Sequence, residues 1–165
     1  MKKILFAGAE VMPFAASGGL GDVLGSLPAA LKAAGDDVDV RVVMPLYSII
    51  PEKYREEMKT ECIFELHLAW RRLYCGVKSL VRDGVTYYFI DNEYYFKRDT
   101  LYGHYDDGER FGFFSRAIVS LLPALQFIPE IIHCNDWQTA LVPVYLLEDK
   151  YRIPQLAGAK SVFTI

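Results

Sequence analysis

The chain has 165 residues, a length that holds one ordinary domain and is too short for two. Its 52% hydrophobic and 24% charged residues suffice for a packed core, which excludes intrinsic disorder and any need for disulfide or metal staples. Lys and Arg number 18 against 21 Asp and Glu, a net charge of −3 without a run of like sign, so neither nucleic acid nor a membrane surface is an expected partner.

The opening run Ile4-Leu5-Phe6-Ala7 is too short for a signal peptide and Glu10 interrupts it, so Lys3 to Ala9 reads as a buried strand. Apolar residues then recur at Leu20, Val23, Leu24, Leu27, Leu31 and Ala34, the spacing of one helical face, with Gly35 as the closing C-cap. Val38 to Met44 is a second buried strand ended by Pro45. Strand, helix, strand is the unit of a parallel sheet. The middle of the chain changes period. Cys62, Phe64, Leu66, Leu68 and Trp70 alternate with polar residues, Arg71-Arg72 is the expected turn, and Leu73 to Arg82 runs back. Asp83-Gly84 signals a two-residue turn into Val85 to Asp91. Helical spacing returns at Phe111, Phe114, Ile118, Leu121, Leu122 and Leu125. A strand at Glu130 to Cys134, a helix at Gln138 to Lys150 and a strand at Ser161 to Ile165 complete the chain. The predicted fold class is α/β: a Rossmann-like, doubly wound, mostly parallel sheet with an inserted antiparallel β-hairpin.

No stretch approaches the roughly 20 apolar residues of a membrane span. Three cysteines, Cys62, Cys75 and Cys134, show no CxxC spacing and read as reduced core residues of a cytoplasmic protein. His133-Cys134 and the His67/Cys62 pair lack metal-ligand spacing, so no metal or other cofactor is expected.

In open α/β sheets ligands bind beyond the carboxyl ends of the strands. Three segments meet that condition: Pro13 to Asp22, His133 to Gln138, and the region just beyond Ile165. Gly18-Gly19 at a helix start lets backbone N–H groups approach an anion, though a glycine turn serving backbone geometry alone stays open. A dinucleotide fingerprint through Gly19, Gly21 and Gly25 has the wrong spacing, and no acid ends the second strand; a P-loop lacks its Lys-Ser/Thr. Asp22 in the first helical turn reads as a dipole partner or cap. Asn135-x-x-Gln138 resembles a capping box around Asp136, and Trp137 is either core or a platform for a sugar ring. Tyr87, Tyr88, Tyr94, Tyr95, Phe96 and Tyr102 read mostly as core and rim of the hairpin.

Taken together, certain motifs resemble one family. Ile4-Leu5-Phe6, Glu10-x-x-Pro13-Phe14 and Ser17-Gly18-Gly19-Leu20-Gly21-Asp22-Val23, running on through Gly25-Ser26-Leu27-Pro28-Ala29-Ala30-Leu31, resemble the opening of bacterial glycogen synthases and plant starch synthases. Asp91-Asn92-x-x-Tyr95-Phe96-x-Arg98, Leu101-Tyr102-Gly103 and Asp106-Asp107-Gly108-Glu109-Arg110-Phe111 are similar to later segments, with Asp107 in place of Asn. Asp136-Trp137-Gln138-Thr139-Ala140 and Ser161-Val162-Phe163-Thr164-Ile165 continue the match in order to the end of the chain.

The resemblance implies a retaining glucosyltransferase of the two-domain GT-B fold. It would move glucose from ADP-glucose to the non-reducing end of an α-1,4-glucan without a metal ion. Residues 1–165 would be its N-terminal, acceptor-side domain, truncated before a C-terminal nucleotide-binding domain that is its partner, and inactive alone. Carried over by position, Ser17, Gly18, Gly19, Asp22 and Asp136 are donor-side residues. Tyr102 is an acceptor contact and Trp137 a pocket support. The family's catalytic His would follow Ile165. Ala16 stands where the family usually has a donor-contacting Lys, a change expected to remove a charge-assisted contact of roughly 1.5–3 kcal/mol. A different donor such as UDP-glucose, and a non-catalytic glucan-binding or regulatory module, are the alternatives. The high apolar content, with a mean hydropathy of +0.13, then fits a face that a second domain and a glucan would cover.

Overall fold

A computed structural model describes residues 1–35 and 37–165. β1 (Lys2–Ala7), α1 (Gly19–Ala33) and β2 (Val38–Pro45) form the first β-α-β unit, with Ile4 opposite Val40 in a parallel pair. The short α2 (Glu52–Arg55) leads into a meander of β3 (Lys59–Leu68), β4 (Arg71–Arg82) and β5 (Val85–Asp91). After it come α3 (Glu93–Phe96), α4 (Asp107–Ala124), β6 (Ile131–Asn135), α5 (Val142–Asp149) and β7 (Lys160–Thr164). All seven strands share one sheet in the order β3-β4-β5-β2-β1-β6-β7. β5 lies parallel beside β2, and β6 and β7 extend the parallel part on the other side of β1. The α/β sheet, mostly parallel with antiparallel strands, is therefore the predicted one. The meander is not an appendage, however; it is one flank of the same sheet.

Right-handed crossovers require the helices to flank both faces, because the chain winds one way from β1 to β2 and the other way from β5 to β6 and β7. Buried strand residues such as Leu5, Val42, Phe89 and Ile132 then see side chains from both sides, which is why these strands read as continuous apolar runs. α4 is buried on nearly every side, with Phe113, Phe114, Ile118 and Leu122 excluded from solvent.

The structure moves four local expectations. The buried stripe of α1 is Gly21, Leu24 and Pro28, while Val23 and Leu27 are exposed. The helix has rotated to lay its glycine edge on the loop before it: a Cβ on Gly25 would sit 2.8 Å from Met12 Cβ and from its carbonyl oxygen. At its end, Ala34 and not Gly35 is the cap, donating its N–H to Ala30. The turn between β3 and β4 is Ala69-Trp70, not Arg71-Arg72. Ala69 takes the left-handed conformation at φ 53°, Arg71 pairs with Leu68, and its guanidinium reaches Glu109 at the start of α4. Finally, the expected helix from Gln138 to Lys150 is broken into a 3-10 turn at Trp137–Thr139 and α5. Pro143 causes the break, since it has no N–H for the Thr139 carbonyl and its ring would strike that carbonyl in a continuous helix. The predicted Asp83-Gly84 turn is present, with φ of 51° and 75° as a type I′ turn requires.

Candidate active site

The carboxyl ends of β1, β6 and β7 converge on the N-terminus of α1. Beyond β1 the chain folds back on itself: Val11 donates to Ala15, Met12 donates to Gly21, and the Met12–Pro13 peptide is cis. Gly18 is the N-cap of α1. The loop closes on Glu10, a carboxylate only 4% exposed. Ser17 N–H donates to Glu10 Oε2 at 2.5 Å, Ser17 Oγ to Oε1 at 2.8 Å, and Gly18 N–H to Oε2 at 3.1 Å. Burial pushes the Glu10 carboxyl up, but the Ser17 amide, Tyr102, the Ser17 hydroxyl and the Gly18 amide outweigh it and hold it below the ordinary carboxylate range. The Tyr102 hydroxyl acts on Glu10 without regular hydrogen-bond geometry; it is buried and otherwise unpaired.

Glycines in this segment divide into two kinds. A Cβ on Gly8 would lie 2.0 Å from Leu24 Cδ1, so the buried Leu24 side chain would have to shift, while Gly21 and Gly25 are required by packing. Gly18 and Gly19 are not. Neither has a positive φ, and a Cβ on either would meet no atom within 4 Å. The space their missing side chains leave is open, at a helix N-terminus. The Gly18 amide is taken by Glu10 and Gly21 donates to Gly18 O, so the amides of Gly19 and Leu20 are the first-turn donors without a partner among the described residues. That arrangement favours an anion.

Two cavities flank the loop. One, about 230 Å³, is lined by Gly19, Leu20, Val23, Asn135, Asp136, Thr164 and Ile165, so two of the segments expected to converge, Pro13 to Asp22 and His133 to Gln138, meet here beside the end of β7. The other, about 350 Å³, is lined by Ala16, Ser17, Ile49, Thr100, Leu101 and Tyr102. Ala16 and Ser17 thus face the second cavity and Gly19 and Asp136 the first. Asp22 is exposed in the first turn of α1, lines neither cavity, and its side chain makes no hydrogen bond within the described residues.

Asp136 does not follow a capping-box geometry. Asn135 ends β6 and turns its amide back to the carbonyls of Ala7 and His133, at 3.3 and 2.9 Å. Asp136 itself caps the 3-10 turn, accepting from Trp137 N–H at 2.7 Å, while its own N–H donates to Thr164 O. Its backbone, φ 63° and ψ 176°, lies in a region that only glycine adopts readily. Two hydrogen bonds thus hold this strained backbone at the cavity wall. Trp137 is half exposed and stacks edge-on with Phe111 at 5.1 Å and beside Tyr102 at 5.9 Å, which makes it a support for the Tyr102 wall.

Tyr102 is carried by a loop with its own scaffold. Arg110, fully buried, donates through Nε to Tyr95 O at 2.7 Å and through Nη1 to Leu101 O at 3.2 Å and Asp107 Oδ1 at 2.5 Å. The other oxygen of Asp107 accepts from Gly103 N–H at 2.8 Å, so the acid fills two acceptor roles at once. Tyr102 presents its ring to the cavity, its hydroxyl being turned inward.

Sequence reasoning missed Glu10 as a site residue, as well as Ile49, Thr100 and Leu101. A lone acid in the buried segment Ala9–Val11, just ahead of a loop rich in free amides, was the available signal for Glu10. Thr100 and Leu101 adjoin Tyr102 and its motif, whereas Ile49 had no signal, because it joins this wall from a loop far away in sequence. Cys75 and Cys134 are core residues whose thiols burial pushes up to about 12. No group of three or more His, Cys, Asp or Glu among the described residues could hold a metal ion, and no described helix is long and apolar enough to cross a membrane.

Comparison with known proteins shows the family. The sequence model of the starch synthase catalytic domain matches residues 3–165. Glycogen synthase of Anoxybacillus flavithermus is 51% identical over 163 residues, and that of Geobacillus stearothermophilus 52% over 164; each alignment takes in 99% of this chain and 33% of the relative. Lactobacillus acidophilus glycogen synthase is 49% identical, over 99% of this chain and 34% of its own. The chain therefore spans about a third of the length of the curated relatives it matches. Among solved structures, the catalytic domain of starch synthase IV from Arabidopsis thaliana, bound to ADP and acarbose, superposes with a TM-score of 0.84 at 32% identity, covering 98% of this chain and 33% of that one. With matches along its whole length in sequence and in fold, the chain belongs to the starch synthase catalytic domain family.

Proposed function

We propose that residues 1–165 are the N-terminal, acceptor-side half of a glycogen synthase with the GT-B architecture. The complete enzyme transfers glucose from ADP-glucose to the non-reducing end of an α-1,4-glucan with retention of configuration, in the cytoplasm. The pair of cavities on either side of the glycine loop carries this reading. A donor phosphate on the Gly19 and Leu20 amides, beside Asp136, and a glucan end against the Tyr102 ring would meet across Ser17 and Gly18. Helix-terminal amides would stabilise charge on the departing diphosphate, a contact worth most in the transition state. A solved relative bound to ADP and acarbose supports the same pair of ligand classes.

This half supplies no complete set of groups for transfer. The nucleotide pocket and the catalytic His expected after the last strand would belong to the remainder of the enzyme. Exposed Val162 and Phe163 on the edge strand β7, with Val23 and Leu27 on α1, fit the surface a second domain would cover. The test is incorporation of labelled glucose into glycogen. The full-length enzyme should use ADP-glucose in preference to UDP-glucose, and the 165-residue chain should incorporate none. Preference for UDP-glucose refutes the donor assignment, lack of any transfer by the full-length protein refutes the enzyme reading, and turnover by the short chain refutes the division of labour.

A further inference from the structure

Among the described residues, Glu10 is the carboxylate whose acceptor oxygens close the loop between β1 and α1. It takes three donors from two consecutive residues, and it is nearly sealed from solvent. Its presence is costly on electrostatic grounds alone. A buried negative charge a few residues from an anion site weakens ground-state binding of a diphosphate, and a neutral side chain of similar shape would avoid that penalty. What the carboxylate provides is geometric. With Ser17 and Gly18 tied to it, and Met12 N–H tied to Gly21 O, the first turn of α1 has a single register relative to the sheet. The amides of Gly19 and Leu20 are then aimed, and Ser17 faces the opposite cavity.

We infer that Glu10 is a positioning residue for glucosyl transfer: by holding Ser17 and Gly18 it fixes the loop that separates donor from acceptor, so that the free amides of α1 meet the diphosphate as its charge develops. The inference rests on the proposed glycogen synthase activity. Glu10 touches neither substrate. Its effect passes through the loop, and it belongs to the chemical step because an aimed amide strengthens as charge accumulates on the leaving group. A glutamine at this position keeps the shape and one acceptor oxygen but turns an N–H₂ towards donors, so at least one of the three hydrogen bonds is lost.

The test compares wild type, E10Q, S17A and the double variant in the full-length enzyme, with ADP-glucose and glycogen. E10Q should lower kcat about 10- to 100-fold, the range set by losing a hydrogen bond to a charged group. Its KM for ADP-glucose should stay within about threefold or fall, because a repulsive charge has gone. S17A, on an exposed loop residue that cannot threaten folding, should lower kcat by a smaller factor in the same pattern. The double variant should show less than the product of the two effects, since both act through one clamp. A purely structural role predicts something else: unchanged kcat per folded molecule, with the loss confined to thermal stability. That result overturns the inference, as does a rise in KM at constant kcat or full multiplicativity of the two variants. If wild type transfers no glucose, the proposed activity itself fails and the role of Glu10 fails with it, an outcome distinct from an active wild type with an active E10Q.

Discussion

Gly21 and Ala16 make a closed test of how the loop is held. A methyl on Gly21 would lie 2.2 Å from Ala16 Cβ and 3.3 Å from Ala16 Cα. Carbon contacts relax near 3.5–4.0 Å, so about 1.3 Å or more of movement is needed, and a β-carbon has no rotamer by which to yield. The Ala16 segment is tied to Glu10 and to Gly21 itself, so the strain passes to the glycine loop. Overpacking of this kind costs about 1–3 kcal/mol, offset by about 1 kcal/mol of helix propensity, leaving Gly21→Ala destabilised by about 0–2 kcal/mol. Ala16→Gly loses a half-buried methyl and gains chain entropy when unfolded, at about 1 kcal/mol. Combining them exchanges the methyl from one wall of the gap to the other. The double variant should therefore be no worse than Ala16→Gly alone, a coupling equal to the relieved overpacking, about 1–3 kcal/mol. Urea unfolding followed by the fluorescence of Trp70 and Trp137 reads it directly. Additivity within about 0.5 kcal/mol would refute the claim that this methyl contact is what requires glycine at position 21.

Other expectations follow from the same geometry. Tyr102→Phe should leave glucan KM nearly unchanged, because the hydroxyl is turned away from the cavity, whereas Tyr102→Ala should raise it about tenfold by removing a stacking ring; equal effects in a kinetic comparison would contradict the assignment of the ring. Asp136→Gly should raise the melting temperature by about 2–4 °C, equivalent to about 1 kcal/mol in a domain this size, while lowering transfer activity. A fall in melting temperature would show that the cap hydrogen bond outweighs the strain. The Glu10 carboxyl is held below its ordinary value of 4.5, so its contribution to stability is complete above about pH 4.5 and is lost as pH falls through the folded value. In acid unfolding curves, E10Q should lose less stability than wild type between pH 5 and pH 3, and parallel curves would show that the clamp does not titrate.

Most of the sheet was legible because buried strands and amphipathic helices differ in period, and β1, β2, β4, β5 and α4 lie where that period places them. The misplaced features share a cause. Trp70 fits an alternating pattern, yet it is 86% exposed at a turn, because alternation reports which face a residue is on but not where the chain reverses. The stripe on α1 was rotated because glycines, which carry no apolar signal, form its contact edge. Pro143 breaks the expected helix because apolar spacing does not register a missing backbone N–H.

By itself the sequence determined the fold class, the glycine loop at the head of α1, the convergence of Asp136 with that loop, and the family to which all of these belong. Local periodicity and motif order carry that information because each depends on residues close together in the chain. Which glycines are needed by packing and which leave open space, the burial of Glu10 against two amides, and the division of Ala16, Ser17 and Tyr102 from Gly19 and Asp136 were decided only in three dimensions. Those facts concern distances between atoms far apart in sequence, and one missing methyl can serve either a tight contact or a binding site. Only the neighbours in space tell the two apart.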